Sequence, residues 1–154
     1  MSTIVGTNIE VTNIKFDSDT TSMIISNTGQ ITAQGEGTAT TNLQQGLAKA
    51  WLNMDCTGTP AANDSYNIGT ITDHGTGDFT QNFTSNMGNT NYAPACIAQD
   101  DHASTSNFGG TNGHIYRQST GLQTSAARIM GGVAGTGSRY DPKVLAFSIH
   151  GDLA

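Results

Sequence analysis

Acidic, imidazole and aromatic side chains carry most of the chemistry open to this chain of 154 residues. Asp73, His74 and Asp78 lie close together in "TDHGTGDFT", two carboxylates and an imidazole of the kind that hold a divalent cation. Their spacing matches no calcium loop. Gly75 and Gly77 suit a turn instead, in which Asp73 and Asp78 bond to nearby backbone N–H groups and Phe79 restarts a buried face. Asp17 and Asp19 begin like a D-x-D loop, but no glutamate follows where an EF-hand requires one. Asp100 and Asp101 offer paired carboxylates for glycoside hydrolysis, yet neighbours in sequence rarely converge on one bond. The glycines of "GGVAGTG", residues 131–137, lack the Lys-Ser/Thr of a phosphate loop. The four histidines are scattered, and no serine stands in a Gly-x-Ser-x-Gly elbow. Cys56 and Cys96 lie far apart with no CxxC around either, which reads as two buried free thiols. The expectation is a non-enzymatic protein with no cofactor and no metal.

The elements that position these residues are short strands. Ile9 and Val11 share one face, Asn13 interrupts it, and Ile14 and Phe16 resume it with the opposite parity, as a strand with a register change would. Residues 17–21 read as a turn. Residues 23–26 and 30–34 read as a hairpin joined by "NTG". The polar stretch 35–42 reads as a connection, dividing a β leader at 1–42 from a head domain at 43–154.

Beyond it, residues 47–54 place Ala48, Ala50, Leu52 and Met54 on one face and Leu47, Lys49, Trp51 and Asn53 on the other, although "NLQQGLAKAWLNM" also fits a short helix. Further strands are expected at 65–72, 78–84, 91–98, 114–118, 125–130 and 144–150, with Phe79 and Phe83 on one face and Gln81 between them. Seven short, closely spaced strands indicate an antiparallel β-sandwich, jelly-roll or Ig-like.

Composition agrees. The chain has 23 Thr, 19 Gly, 13 Asn and 12 Ser, small polar residues that favour strands and turns over helices. Only 12% of residues are charged and the net charge is −6. No Lys or Arg occurs between Lys49 and Arg117, while Asp55, Asp64, Asp73, Asp78, Asp100 and Asp101 fall inside that interval. Such a surface repels nucleic acid, so no nucleic-acid partner is expected. No apolar run has the roughly 20 residues of a membrane helix, and the amino terminus lacks the basic and apolar segments of a signal peptide. The expectation is therefore a chain made in a cytoplasm, with no membrane insertion.

"AKAWLNM", "GTITDHGTGDFTQNFT", "MGNTNYAPACIA" and "DPKVLAFSIHGD" together resemble the carboxy-terminal β-sandwich of phage fibre and virion-appendage proteins, especially those of marine and cyanobacterial phages. The resemblance spans roughly residues 46–152, and its most specific part is the Gly-Thr-Gly-Asp-aromatic block. The segment "IEVTNIKFDSDTTSMIISNTGQITAQG" looks like the β segments that precede such heads. Pro60 and Ala61, where a strand often continues, and the cysteines depart from the pattern.

The resemblance implies a homotrimer in the virion, attached to other virion proteins through its leader. Its head would contact a host surface glycan or protein. A capsid decoration or head fibre without a receptor-binding role is the alternative. For recognition, the segment 99–116 stands out because it is too long for an ordinary hairpin loop. Asp100, Asp101, His102, Asn107 and Asn112 supply polar contacts there, and Phe108 and Tyr116 supply flat apolar faces. Trp51, Phe79 and Phe83 are the expected core or subunit-interface anchors, because each buries a large aromatic surface.

Overall fold

The computed structural model describes residues 13–15, 21–34, 39–99, 111–115, 121–133 and 138–153. The chain divides into two compact units, Met1–Leu47 and Ala48–Ala154, a boundary five residues later than the sequence pattern suggested. The protein is all-β: twelve strands are described, all in antiparallel sheets, with one short helix.

The first unit carries a four-stranded sheet of β1 (Asn13–Lys15), β2 (Thr21–Ile25), β3 (Ile31–Gln34) and β4 (Thr40–Asn42) in sequential order. A β-bulge falls between Ile14 and Lys15, past the interruption expected at Asn13, and the rest of that expected strand, 7–12 and 16, lies outside the described residues. The end of the stretch read as a polar connection, 40–42, is instead strand β4 paired with β3. Isolated threonines carry no alternating apolar signal, and tertiary pairing decided this segment. The helical alternative holds for one turn only, α1 (Leu43–Gly46), capped by the Asn42 side chain accepting from Gln45 N at 3.1 Å. The Gln44 amide fastens this turn to the β2–β3 hairpin by accepting from Ile31 N and donating to Gly29 O.

The second unit has eight strands where seven were expected. One sheet runs β6 (Ala61–Tyr66), β5 (Ala48–Asp55), β12 (Val144–His150), β9 (Ala93–Gln99); the other runs β10 (Thr111–Ile115), β11 (Ala126–Val133), β8 (Asp78–Phe83), β7 (Ile68–Asp73). The order of β9, β10 and β11, with β12 returning beside β9, is a Greek key whose first step crosses from one sheet to the other.

Residues 65–72, read as one strand, are two strands in two sheets, parted at Asn67. Asn67 takes a φ of +58°, which asparagine tolerates better than most residues. Its side chain donates to Lys49 O and Ser85 O, both at 3.0 Å, and accepts from Ser85 N at 2.7 Å. One residue thus makes the corner and ties both sheets to it.

Both inner faces feed one core. Ala50, Leu52 and Met54 of β5 and Leu145, Phe147 and Ile149 of β12 meet Phe79, Phe83, Ala127 and Ile129 of the opposing sheet. The predicted parity of β5 is observed from Ala50 to Met54, but Lys49, expected on the outer face, is buried where a β-bulge interrupts the pairing with β12. Phe79 and Phe83 are core residues. Trp51 is not in the core, because Ala50 and Leu52 on either side of it point inward. It is half-buried on the outer face.

Between β11 and β12, residues 138–142 lie close against the ends of β8 and β11. Gly131 N donates to Gly77 O at 3.0 Å, and Tyr140 N donates to Gly131 O at 3.2 Å. A Cβ on Gly77 would come within 2.7 Å of Tyr140 N and 2.8 Å of Tyr140 O, and Gly77 has a φ of +65°. Gly58 has a similar φ of +71° with open space around it, so the pair separates backbone strain from collision. Gly58→Ala is expected to lower unfolding free energy by about 1–2 kcal/mol. Gly77→Ala should cost about 3 kcal/mol or more, because the strap must also move. Urea unfolding of the two variants measures the difference.

Candidate functional site

The turn between β7 and β8 forms as its residue types demand. Asp73 Oδ1 accepts from Gly75 N at 2.8 Å, and Asp78 N donates to Gly75 O at 3.0 Å. His74 reaches Thr80 Oγ1 through Nε2 at 2.9 Å. Asp73 and His74 are exposed.

Asp78 differs from the turn residue that was expected: its side chain is 1% exposed. Arg128 of β11 grips it through both oxygens, Nε to Oδ1 at 2.6 Å and a terminal guanidinium nitrogen to Oδ2 at 2.8 Å. Arg139 adds a third bond to Oδ2 at 2.6 Å. The turn signal in "GTGD" hid this role, since the arginines lie 50 and 61 residues further along the chain. These hydrogen bonds, Arg128's above all, hold the Asp78 carboxyl below its ordinary pKa of 3.8 against the opposing effect of burial. Next along the strap, Asp141 Oδ1 accepts from Gly77 N at 2.6 Å. The arrangement is an ion triad around one buried carboxylate, with the arginines partly exposed, joining β8, β11 and the strap. With its carboxylate enclosed and paired, Asp78 is poorly placed for proton transfer or for a metal.

A second acid is tied down nearby in sequence to the first strand of the unit. Asp55 accepts from Lys143 through Oδ2 and from Thr57 N and Oγ1 at 2.9 and 2.6 Å. Lys143 first, then Thr57, brings its pKa down to about 2. Cys56 is buried and Cys96 half-buried, both free. The sequence reading had buried both, but Cys96 lies on β9 at the margin of its sheet. Burial pushes each thiol up to about 12, far from a nucleophilic thiolate. Among the described residues no group of three His, Cys, Asp or Glu side chains is placed to hold a metal ion.

The candidates in the long segment are placed unevenly. Asp100, Asp101, His102, Asn107, Phe108 and Tyr116 lie outside the described residues. Asn112 belongs to β10 and pairs with Gly132 of β11. That strand begins at Thr111, three residues before the expected start, so Asn112 is part of the sheet. β9 and β10 lie side by side, so 100–110 join neighbouring strands of different sheets.

The outer faces of the sandwich differ. On the β7–β8–β11 side Asn82 Nδ2 donates to Thr70 Oγ1 and Thr72 Oγ1 at 3.0 and 3.2 Å, and Thr80 and Arg128 are opposite each other. This face is polar and bonded laterally. On the other sheet one row across the strands reads Tyr66, Trp51, Ser148, Ala95, and the next reads Asp64, Asn53, Ala146, Ile97. Tyr66 is 52% and Ile97 69% exposed. Sequence reasoning singled out Trp51 here but passed over Tyr66 and Ile97, whose outward parity was legible only once β6 and β9 were in register. The chain matches no family model, curated protein or solved structure.

Acid should expose the dependence on the two held carboxylates. Their folded pKa values lie below the ordinary value of 3.8, so they contribute stability fully above that pH and lose it as pH falls through the folded values. The melting temperature should hold from neutrality to about pH 5 and then fall. Asp78→Asn, which leaves two partly exposed guanidiniums facing a neutral amide, should cost about 1–3 kcal/mol at neutral pH and flatten the acid limb. An unchanged acid limb in this variant would assign the pH dependence elsewhere.

Proposed function

We propose that this chain is a structural protein of a phage virion, the head of a short fibre or spike that works as a homotrimer. Residues 1–47 engage other virion proteins, and the sandwich of 48–154 faces outward to the host. One observation carries the reading: the four segments that resemble phage appendage heads fall on two sets of hydrogen-bonded neighbouring strands, one in each sheet of the sandwich. "AKAWLNM" lies in β5, "GTITDHGTGDFTQNFT" spans β7, its turn and β8, "MGNTNYAPACIA" leads into β9, and "DPKVLAFSIHGD" supplies the end of the strap and β12. Among these, β5, β12 and β9 are hydrogen-bonded neighbours, as are β7 and β8. The separation into two units supports a division between anchoring and presentation. A rigid β scaffold with a long inter-sheet connection at 100–110 is the usual way to display recognition residues.

The reading is tested on particles of the phage that encodes the chain. Removing residues 1–47 should leave the remainder folded, by its far-ultraviolet circular dichroism, yet absent from purified virions. Virions carrying Phe108→Ala with Tyr116→Ala should assemble normally and adsorb to host cells several-fold more slowly. Normal incorporation of the truncated chain would refute the anchoring role. Normal adsorption, with Asp100 and Asp101 also neutralised, would favour a capsid decoration.

A further inference from the structure

The two outer faces of the sandwich are built for different surroundings. The β7–β8–β11 face carries Thr70, Thr72, Thr80, Asn82 and Arg128, whose polar groups bond along and across the strands. That is how an exposed sheet face meets water. The face of β6, β5, β12 and β9 carries Tyr66, Trp51, Ala95, Ile97 and Ala146 in adjacent rows spanning all four strands. A trough of about 330 Å3 runs along β9 and β12, lined by Ala95, Cys96, Ile97, Ala146, Phe147 and Ser148. Ser148, Asn53 and Asp64 share these rows, so the face is apolar in two groups, Tyr66 with Trp51 and Ala95 with Ala146 and Ile97. Large apolar side chains grouped on an open surface mark an interaction site.

We infer that this face packs against the same face of further copies of the chain and forms the subunit interface. The inference rests on the homo-oligomeric reading above and says which surface performs the assembly. Three observations select a copy of the chain as occupant. The first is charge. The chain carries a net charge of −6, so most pairings of its surface would set carboxylates against carboxylates. In these two rows the only charged residue is Asp64, on the edge strand β6, so copies meet through an uncharged centre with no like-charge penalty.

The second is composition. Trp51 lies on the interior strand β5, with Tyr66 and Ile97 on the two edge strands and the charge of Asp64 at the rim. Large apolar side chains with charge kept to the rim are the pattern of a protein interface. An isoleucine 69% exposed on a sheet face offers a sugar ring no hydrogen bond, but it loses water favourably against another side chain. The third is size. Four strands of six to eight residues present a face of roughly 20 Å by 20 Å. That is the scale of the core of an interface burying about 800 Å2 per partner. The small residues Ala95, Ala146 and Ser148 keep the centre low, so a partner's Trp51, Tyr66 or Ile97 has somewhere to seat.

The full chain should be studied by light scattering during gel filtration at about 10 μM, a concentration that populates any assembly with a dissociation constant in the micromolar range or below. The wild-type chain should run as an oligomer, at three times its 16.0 kDa mass for a trimer. Ile97→Asp and Tyr66→Lys, at opposite sides of the face, should each weaken association by about 100-fold or more and give monomers. Both positions are exposed, so circular dichroism of the monomers should match wild type. Thr72→Asp on the polar face should keep the wild-type mass. A wild-type monomer would overturn the homo-oligomeric reading and this inference with it. A wild-type oligomer whose mass survives both Ile97→Asp and Tyr66→Lys would leave that reading standing and overturn the assignment of the face.

Discussion

The Asp78 carboxylate is enclosed by protein, and a buried charge is tolerated only where opposite charge and hydrogen bonds replace its hydration. Arg128 comes from the neighbouring strand, so part of that requirement is met within the sheet. The rest must come from Arg139, and bringing Arg139 to Asp78 fixes the path of the chain after β11. From there Tyr140 and Pro142 lie against Gly131, Asp141 accepts from Gly77, and Pro142 O accepts from Cys56 N at the end of β5. The strap therefore delivers β12 into its sheet between β5 and β9 already in register. Glycine at 77 and 131 follows from the same constraint, since a side chain at either would hold the strap away from the carboxylate.

How much of this was legible in the sequence depended on the range of the interactions. The apolar alternation of β5 identified that strand and its inward face from Ala50 to Met54, and β12 was legible as a strand, because a half-buried strand repeats every two residues whatever it pairs with. Trp51 was visible as an anchor but its face was not used: the same alternation that buries Ala50 and Leu52 turns it outward. Residues 65–72 were misread because strand-forming residues continue through them, and the break is one asparagine in a left-handed conformation. β4 was missed because "TTN" has no apolar residue to betray it. The Asp78 triad left no local trace, since its partners lie 50 and 61 residues away. The recognition candidates Asp100, Asp101, His102, Asn107, Phe108 and Tyr116 lie outside the described residues.

The same distinction between local and distant constraints explains how a chain with few charges maintains a polar outer face. Threonine and asparagine occupy the solvent side of β7 and β8, and their groups bond to one another rather than standing alone. Such lateral pairs each contribute modestly, but they give the strands a register that apolar contacts on the inner face do not specify as sharply. On β5, β9 and β12 the outward positions Trp51, Ala95, Ile97 and Ala146 offer no such lateral bonding, while Asn53 of β5 makes such a bond, accepting from Asn63 of β6 at 3.0 Å. Register there comes from the core face, and the outer positions are left free for another use.

Gln81 shows what the inner face gives up for this alternation. It falls between Phe79 and Phe83 on β8 and is fully buried with them. Its Nε2 finds only Met54 Sδ at 3.8 Å, and its Oε1 accepts nothing from the protein. A buried acceptor without a donor costs about 1–3 kcal/mol, and moving Gln81 outward is impossible without turning Phe79 and Phe83 out with it, because all three share one parity. Parity on β8 is held from its start by Asp78, whose outward side chain must meet Arg128 and Arg139. The strand therefore carries an unsatisfied amide inside its core between two phenylalanines that hold the same parity.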